Sequence, residues 1–313
     1  MKRCVFALGE TLLDIIFENG QPVKAVPGGS MVNAAISLGR TGIPVHLISE
    51  FGNDPVGNVI GSFLERNNVQ HFWCYRYSSN KTSVAMAFLD ERKNASYTFY
   101  HDIPESIPDL PLPKLTYEDI VLFGSFYSVK QQRHALVKKL LQATNRTGAL
   151  SIYDPNIRSS HHGHKDEYLA SILENFQLAT IVKGSDEDFF HILGTRVPEE
   201  IYSKTSYLCP FLYISQGSKD LVLMTPDFTA NYQVPPIVPV STIGAGDSFN
   251  AGLIYGLIAE GVSKTNISIL TRSSWDIISA YGLEFAKAVC LSFENYVPSG
   301  LDPVRNTKLD SNA

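Results

Sequence analysis

Ser241-Thr-Ile-Gly-Ala-Gly-Asp-Ser-Phe-Asn-Ala-Gly252 lies between an extended run, Pro235 to Val240, and an apolar helical pattern. That pattern carries Phe249, Leu253 and Leu257 and stops at Gly261. The stretch predicts a turn at Gly244-Ala245-Gly246 that opens directly into a helix. Glycines there accept backbone angles closed to other residues and let a ligand approach the main chain. The first free N–H groups of the helix, together with the positive end of its dipole, make such a turn an anion site. Asp247 begins the helix. Its carboxylate either caps the helix or takes a proton from a hydroxyl group, and this stretch alone leaves both open. No Gly-Lys-Ser/Thr follows, so the turn is not a Walker A loop.

A second glycine-led helix stands near the other end of the chain, Pro27-Gly-Gly-Ser-Met-Val-Asn-Ala-Ala-Ile-Ser-Leu-Gly-Arg-Thr-Gly42. Gly28 and Gly29 lead into a helix from about Met31 to Arg40, with Asn33 in or near its first turn. The Asn33 amide and the glycine N–H groups together could hold sugar hydroxyls. The plainer alternative is a helix entry capped by Ser30.

Between these segments, short apolar runs alternate with amphipathic patterns. The runs are Cys4–Gly9, Val45–Glu50, Ile120–Gly124, Ala149–Asp154, Ala179–Lys183 and Phe211–Ser215. Helical spacing shows in Val56, Val59, Ile60, Phe63 and Leu64, and again in Leu136, Val137, Leu140 and Leu141. The alternation predicts a mostly parallel sheet covered by helices on both faces. Two regions depart from it. One is a hairpin signal at Asn19-Gly20; the other is a β-rich, aromatic stretch through His71–Tyr77, Ser83–Asp90 and Ser96–Tyr100. They predict a small separate sheet from about 12–26 and 71–102, placed as a lid or an association surface. The alternative is an edge extension of the main sheet. One domain is expected across 1–313, with a loosely held polar tail over 303–313.

Of the 313 residues, 44% are apolar and 18% charged, and the formal net charge is −5. This is the composition of an ordinary globular protein. Without a basic stripe, nucleic-acid binding is not expected. No apolar stretch is long enough to span a bilayer, and the N-terminus lacks a signal-peptide layout, so the cytoplasm is the expected location. The four cysteines have neither metal-ligand nor redox spacing. His161-His162-Gly163-His164 is a possible metal tract without carboxylate or thiol partners at ligand spacing.

Taken together, the two glycine-led helices resemble the paired signature motifs of the ribokinase-like, or PfkB, carbohydrate kinases. Their order and separation agree, and the resemblance extends over about residues 3–300. Gly9-Glu10 with Asp14 resembles the family's opening strand and sugar-binding aspartate. Phe51-Gly52-Asn53-Asp54 with Gly57 resembles its Gly-x-Asp…Gly turn. Asp154-Pro155-Asn156-Ile157-Arg158 is similar to a segment of fructokinases and 2-keto-3-deoxygluconate kinases. Ser215-Gln216-Gly217-Ser218-Lys219 stands where the family has its nucleotide-side loop. The resemblance implies a three-layer α/β/α sandwich with a mostly parallel central sheet and a small β-sheet lid. It implies ATP and Mg²⁺, with Asp247 as the base and Gly244, Ala245 and Gly246 stabilising the transferred phosphoryl group. Asp14, Gly28, Gly29 and Asn33 would hold the sugar, and Arg158 would clamp the sugar or the phosphoryl group. Lys183, Ser185, Ser215, Gly217 and Lys287 would serve the nucleotide, and Asp188 the metal through water.

Four positions depart from the family pattern. Ser241 replaces an aspartate that helps hold an activating monovalent cation, so K⁺ activation is not a firm expectation. Ser185-Asp-Glu-Asp188 replaces an Asn-x-x-Glu element. Lys287 stands where an asparagine is usual, and Gly217-Ser-Lys-Asp220 lacks a second glycine. The expected reaction is phosphorylation of D-fructose to its 6-phosphate, with a homodimer formed through the lid. A 2-keto-3-deoxygluconate kinase or a ribokinase-type enzyme is the alternative, and a catalytically silent sugar or nucleotide sensor is the alternative of another class. A dinucleotide-binding oxidoreductase is disfavoured, because no Gly-x-Gly-x-x-Gly follows the first strand.

Overall fold

The computed structural model describes residues 3–90, 95–102, 104, 111–157 and 165–303. The first half runs β1 (Val5–Leu8), β2 (Leu12–Glu18), β3 (Gln21–Gly28), α1 (Ser30–Arg40), β4 (Val45–Gly52), α2 (Pro55–Arg66), β5 (Val69–Tyr77), β6 (Val84–Leu89), β7 (Ala95–Tyr100) and β8 (Ile120–Gly124). The second runs α3 (Gln131–Thr147), β9 (Leu150–Asp154), α4 (Lys165–Leu178), β10 (Ile181–Ser185), α5 (Asp186–Leu193), α6 (Pro198–Thr205), β11 (Leu212–Ser215), β12 (Asp220–Met224), β13 (Thr229–Gln233), α7 (Ala245–Ala259) and α8 (Arg272–Cys290).

Nine strands form one sheet in the order β13-β12-β11-β10-β9-β8-β1-β4-β5. Strands β11 through β5 of that order are parallel, and β12 and β13 add an antiparallel edge. All six apolar runs lie in the parallel part. Their continuous hydrophobicity follows from burial on both faces, as β8 shows. Ile120 and Leu122 belong to the core that α1, α2, α7 and α8 cover, while Val121 and Phe123 belong to the core under α3, α4, α5 and α6. This is the expected three-layer α/β/α sandwich.

The second sheet has the order β3-β2-β6-β7. It differs from the expected lid in one respect. The His71–Tyr77 segment belongs to β5, the edge of the main sheet, and runs parallel to β4. Phe72, Trp73, Tyr75 and Tyr77 are therefore not lid residues. The α2 crossover delivers β5 beside β4, a connection that β-propensity and aromatic content cannot reveal. Asp54 ties the two sheets together. It caps α2 through Gly57 N–H (2.8 Å) and accepts from Thr82 N–H (2.8 Å) and Oγ1 (2.8 Å) ahead of β6.

Arg158, the tract 161–164 and the tail beyond 303 lie outside the described residues. Among the described residues no helix is long and apolar enough to cross a membrane.

Candidate active site

The parallel strands end on one side of the sheet, and there the N-termini of α1 and α7 meet. Each follows a glycine with positive φ: Gly29 at 117° and Gly244 at 80°. Neither helix has a side-chain cap. Ser30 and Asp247, both candidate caps in the sequence, bind each other instead. Ser30 Oγ donates to Asp247 Oδ1 at 2.9 Å, and Asn33 Nδ2 donates to Oδ2 at 2.8 Å. Asn156 Nδ2 donates in turn to Ser30 Oγ at 2.7 Å. Asp247 is 8% exposed, with each oxygen held by one donor from α1. Burial pushes its carboxyl above the usual carboxylate range and Asp154 adds to the rise, while the Asn33 and Ser30 hydrogen bonds and the Lys183 ammonium oppose it.

A cavity of about 220 Å³ opens in front of this carboxylate. Its floor includes Gly29, Asn33, Asn156, Gly244 and Asp247, and its roof includes Leu12, Asp14, Tyr97 and Phe99 from the small sheet. Among the described residues Asn33 Oδ1 is buried and has no hydrogen-bond partner, so the cavity wall keeps an acceptor for a hydroxyl group. Two wall residues, Ser125 (φ 55°) and Asn156 (φ 43°), hold left-handed backbone angles without being glycine. Such strain gathers at functional sites. Asp14 lies against Gly28 so closely that a Cβ there would stand 2.0 Å from Asp14 Oδ2. Gly28→Ala is therefore expected to displace the Asp14 carboxylate from the cavity wall, which a crystal structure of the variant would show.

A second cavity, of about 170 Å³, lies on the other side of the Gly244–Asp247 turn. Lys183, Ser215, Gly217 and Lys287 line it together with Ala245 and Gly246. Four of the five residues expected at the nucleotide are thus brought together. Ser185 does something else. With Asp188 it forms a capping box on α5, where Asp188 Oδ2 accepts from Ser185 N–H (2.7 Å) and Oγ–H (2.6 Å). Asp188 Oδ1 accepts from Ile157 N–H at 2.7 Å. Burial, reinforced by Asp154, pushes the Asp188 carboxyl up against these bonds and Lys183.

Several wall residues went unmarked in the sequence. Lys130, His101, Tyr97, Phe99 and Asn295 line the first cavity, and they come from loops and lid strands with no motif around them. Asn250 had a signal: it is a polar residue one turn after Asp247 in an otherwise apolar helix. Its amide donates to Asp154 Oδ2 at 2.6 Å.

A family model described as pfkB family carbohydrate kinase matches residues 4–293. Fructokinase of Klebsiella pneumoniae is 26% identical over 84% of this chain and 87% of its own length. Fructokinase-2 of Oryza sativa subsp. japonica is 25% identical over 94% of this chain and 90% of its own. Among solved structures, fructokinase from Vibrio cholerae O395 with fructose, ADP and calcium superposes at TM-score 0.81, with 21% identity and 94% of each chain covered. Aminoimidazole riboside kinase from Salmonella enterica, with aminoimidazole riboside and an ATP analog, superposes at 0.82, with 18% identity over 98% of this chain and 99% of that one.

Proposed function

Because this chain belongs to the pfkB family of carbohydrate kinases, we propose that it transfers the γ-phosphoryl group of ATP to the 6-hydroxymethyl group of D-fructose. The observation that carries the reading is the Asp247 carboxylate, buried at the wall between a sugar-sized cavity and a glycine turn that faces a second cavity. Fructokinases among the relatives support fructose.

In this reading the sugar lies under the small sheet. Asp14 and the free Asn33 Oδ1 hold its hydroxyl groups, and Asp247 accepts the proton of the attacking hydroxyl. A base positioned in this way contributes about 10²–10⁴-fold. The N–H groups of the Gly244–Gly246 turn face the charge that develops on the phosphoryl group. Tyr97 and Phe99 exclude water, which would otherwise compete as acceptor. Arg158 enters as a clamp through its motif alone.

The Asp154, Asp188 and Asp247 carboxylates all act on the Lys183 ammonium, but among the described residues no three acidic, His or Cys side chains are grouped to hold a metal ion by themselves. A divalent cation would therefore arrive with ATP, held mainly by its phosphates. Mg²⁺ bound in this way would neutralise phosphate charge, with Asp188 touching it through water.

ADP release from Mg-ATP across fructose, ribose, 2-keto-3-deoxygluconate and adenosine tests the proposal. A clear preference for fructose supports it, and turnover of none of them overturns it. One observation favours the acidic sugar as a second reading. Lys130 lines the cavity beside His101, which gives a carboxylate a cationic partner. His101 itself is held neutral, since burial and then the neighbouring Lys130 lower its pKa.

The register of the small sheet points Ile15, Phe17, Met86, Phe88 and Tyr100 away from the cavity. Phe17 and Phe88 stack at 4.9 Å, and Phe88 is 40% exposed. We propose that a second copy of the chain covers this face. Light scattering should show a dimer for the wild type and a monomer for Phe88→Glu. A monomeric wild type removes the idea.

A further inference from the structure

Behind the Gly244–Asp247 turn lies a group of buried polar residues from three elements. Asp154 ends β9, Lys183 lies on the neighbouring β10, and Asn250 is one turn into α7. They are 1%, 4% and 0% exposed. Lys183 Nζ donates to Asp154 Oδ2 at 2.9 Å, and Asn250 Nδ2 donates to the same oxygen at 2.6 Å. Asp154 is thus fixed by α7, and Lys183 is fixed by Asp154.

Where the ammonium is held matters more than the pairing itself. A Cβ built on Gly246 would stand 3.1 Å from Lys183 Nζ, so the charge rests against the middle of the anion turn. Lys183 also lines the nucleotide-side cavity with Ala245 and Gly246. An ammonium has three N–H donors, and among the described residues one of them is engaged, by Asp154. A buried ion pair adds little net stability, because desolvation offsets the attraction. Core packing alone therefore gives no reason to place a charged lysine here. A phosphate at the turn would give its remaining donors acceptors.

We propose that Lys183 contacts the terminal, transferred phosphoryl group of ATP, and that Asp154 and Asn250 are positioning residues that aim its ammonium there. The proposal rests on the kinase reading above and adds to it a direct γ-phosphate contact and the two residues that set it. Burial lowers the affinity of Lys183 for its proton, but Asp154 and Asp188 outweigh it and the net shift is upward. The lysine is accordingly a permanent cation and serves as charge rather than as an acid.

The test separates the γ-phosphate from the rest of the nucleotide without needing turnover. Calorimetry with ADP and with the non-hydrolysable analogue AMPPNP compares wild type, Lys183→Met and Asp154→Asn. Loss of a charged hydrogen bond weakens binding about tenfold to a hundredfold. That loss is expected for AMPPNP with both variants, while ADP affinity stays at the wild-type value. In turnover, Lys183→Met lowers kcat by about 10²–10³-fold, the range for a lost electrostatic donor. Asp154 acts through Lys183, so the double variant should be no slower than Lys183→Met alone. Equal losses for ADP and AMPPNP, or additive losses in the double variant, overturn the proposal. Asp154→Asn keeps the side-chain shape and carries the binding test by itself if Lys183→Met does not fold. Failure of the kinase reading would look different: the wild type would prefer AMPPNP over ADP yet phosphorylate no sugar.

Discussion

Asp247→Asn lowers kcat by about 10²–10⁴-fold, the contribution of a positioned general base, and leaves the protein at least as stable as the wild type. The two halves of this expectation have one cause. Burial holds the Asp247 carboxyl above its ordinary value of 3.8, so the native state binds that proton more tightly than the unfolded chain does. The stability this confers is complete below 3.8. It is lost as pH rises through the raised native value, and at neutral pH the buried charge is a liability. An amide removes the liability along with the base. Asn33 can adapt, because turning its side chain brings the free Oδ1 to face the new amide donor. The checks are kcat at saturating substrates and a thermal melt at pH 8. In the wild type, kcat/KM should fall on acidification with a midpoint above the ordinary carboxylate range. Undiminished kcat in the variant removes Asp247 as the base. A clear drop in Tm would show that its carboxylate supports the fold instead.

Gly244→Ala is expected to lower kcat by about 10²–10³-fold and to lower Tm. Residue 244 has φ 80°, a region that costs a side-chain-bearing residue about 1–2 kcal/mol. A Cβ would also stand 2.1 Å from the Asn295 carbonyl oxygen and 2.7 Å from its carbon. Both are main-chain atoms that no rotamer change can clear. Either α7 or the 295 segment must shift, and an oxyanion donor displaced from its position costs about 10²–10³-fold in kcat. Gly194→Ala is the control. Gly194 has φ 79° but, among the described residues, nothing within 4 Å of a Cβ, and it lines neither cavity, so it carries the backbone cost without the collision. Comparable melts and rates for the two alanine variants would refute the collision argument.

The parallel core was legible because burial on both faces writes a continuous apolar run, and each of the six runs became a strand. Strands β12 and β13 have no such signature of direction, since antiparallel pairing here depends on the turn after Ser215 and not on hydrophobicity. The placement of β5 was missed for a related reason: alternation and aromatic content describe a half-covered strand but not the sheet it joins. At the site, the glycine turns could be read from local chemistry, whereas its own stretch leaves Asp247 open between cap and base, and only the family resemblance singles it out. The bond between Ser30 and Asp247 could not be read, because each residue has a complete local explanation as a helix cap. Only the tertiary packing of α1 on α7 replaces those caps with each other. Asp188 shows the reverse. The resemblance implies a water-bridged metal role for it, and gives no sign of the α5 capping box and the Ile157 N–H bond that engage its two oxygens.

The clasp of Asp247 by Ser30 and Asn33 joins residues more than 210 positions apart. During synthesis the amino-terminal partners leave the ribosome long before the carboxylate exists. Until α7 arrives, α1 has a polar end with nothing to bind and an apolar flank without its main neighbour. Formation of the reaction centre is therefore among the last events of folding, and no fragment that ends before Ser241 can assemble half of it. A chain interrupted late in translation would hold most of the parallel sheet and no kinase activity, with an adhesive surface exposed where α7 and α8 belong.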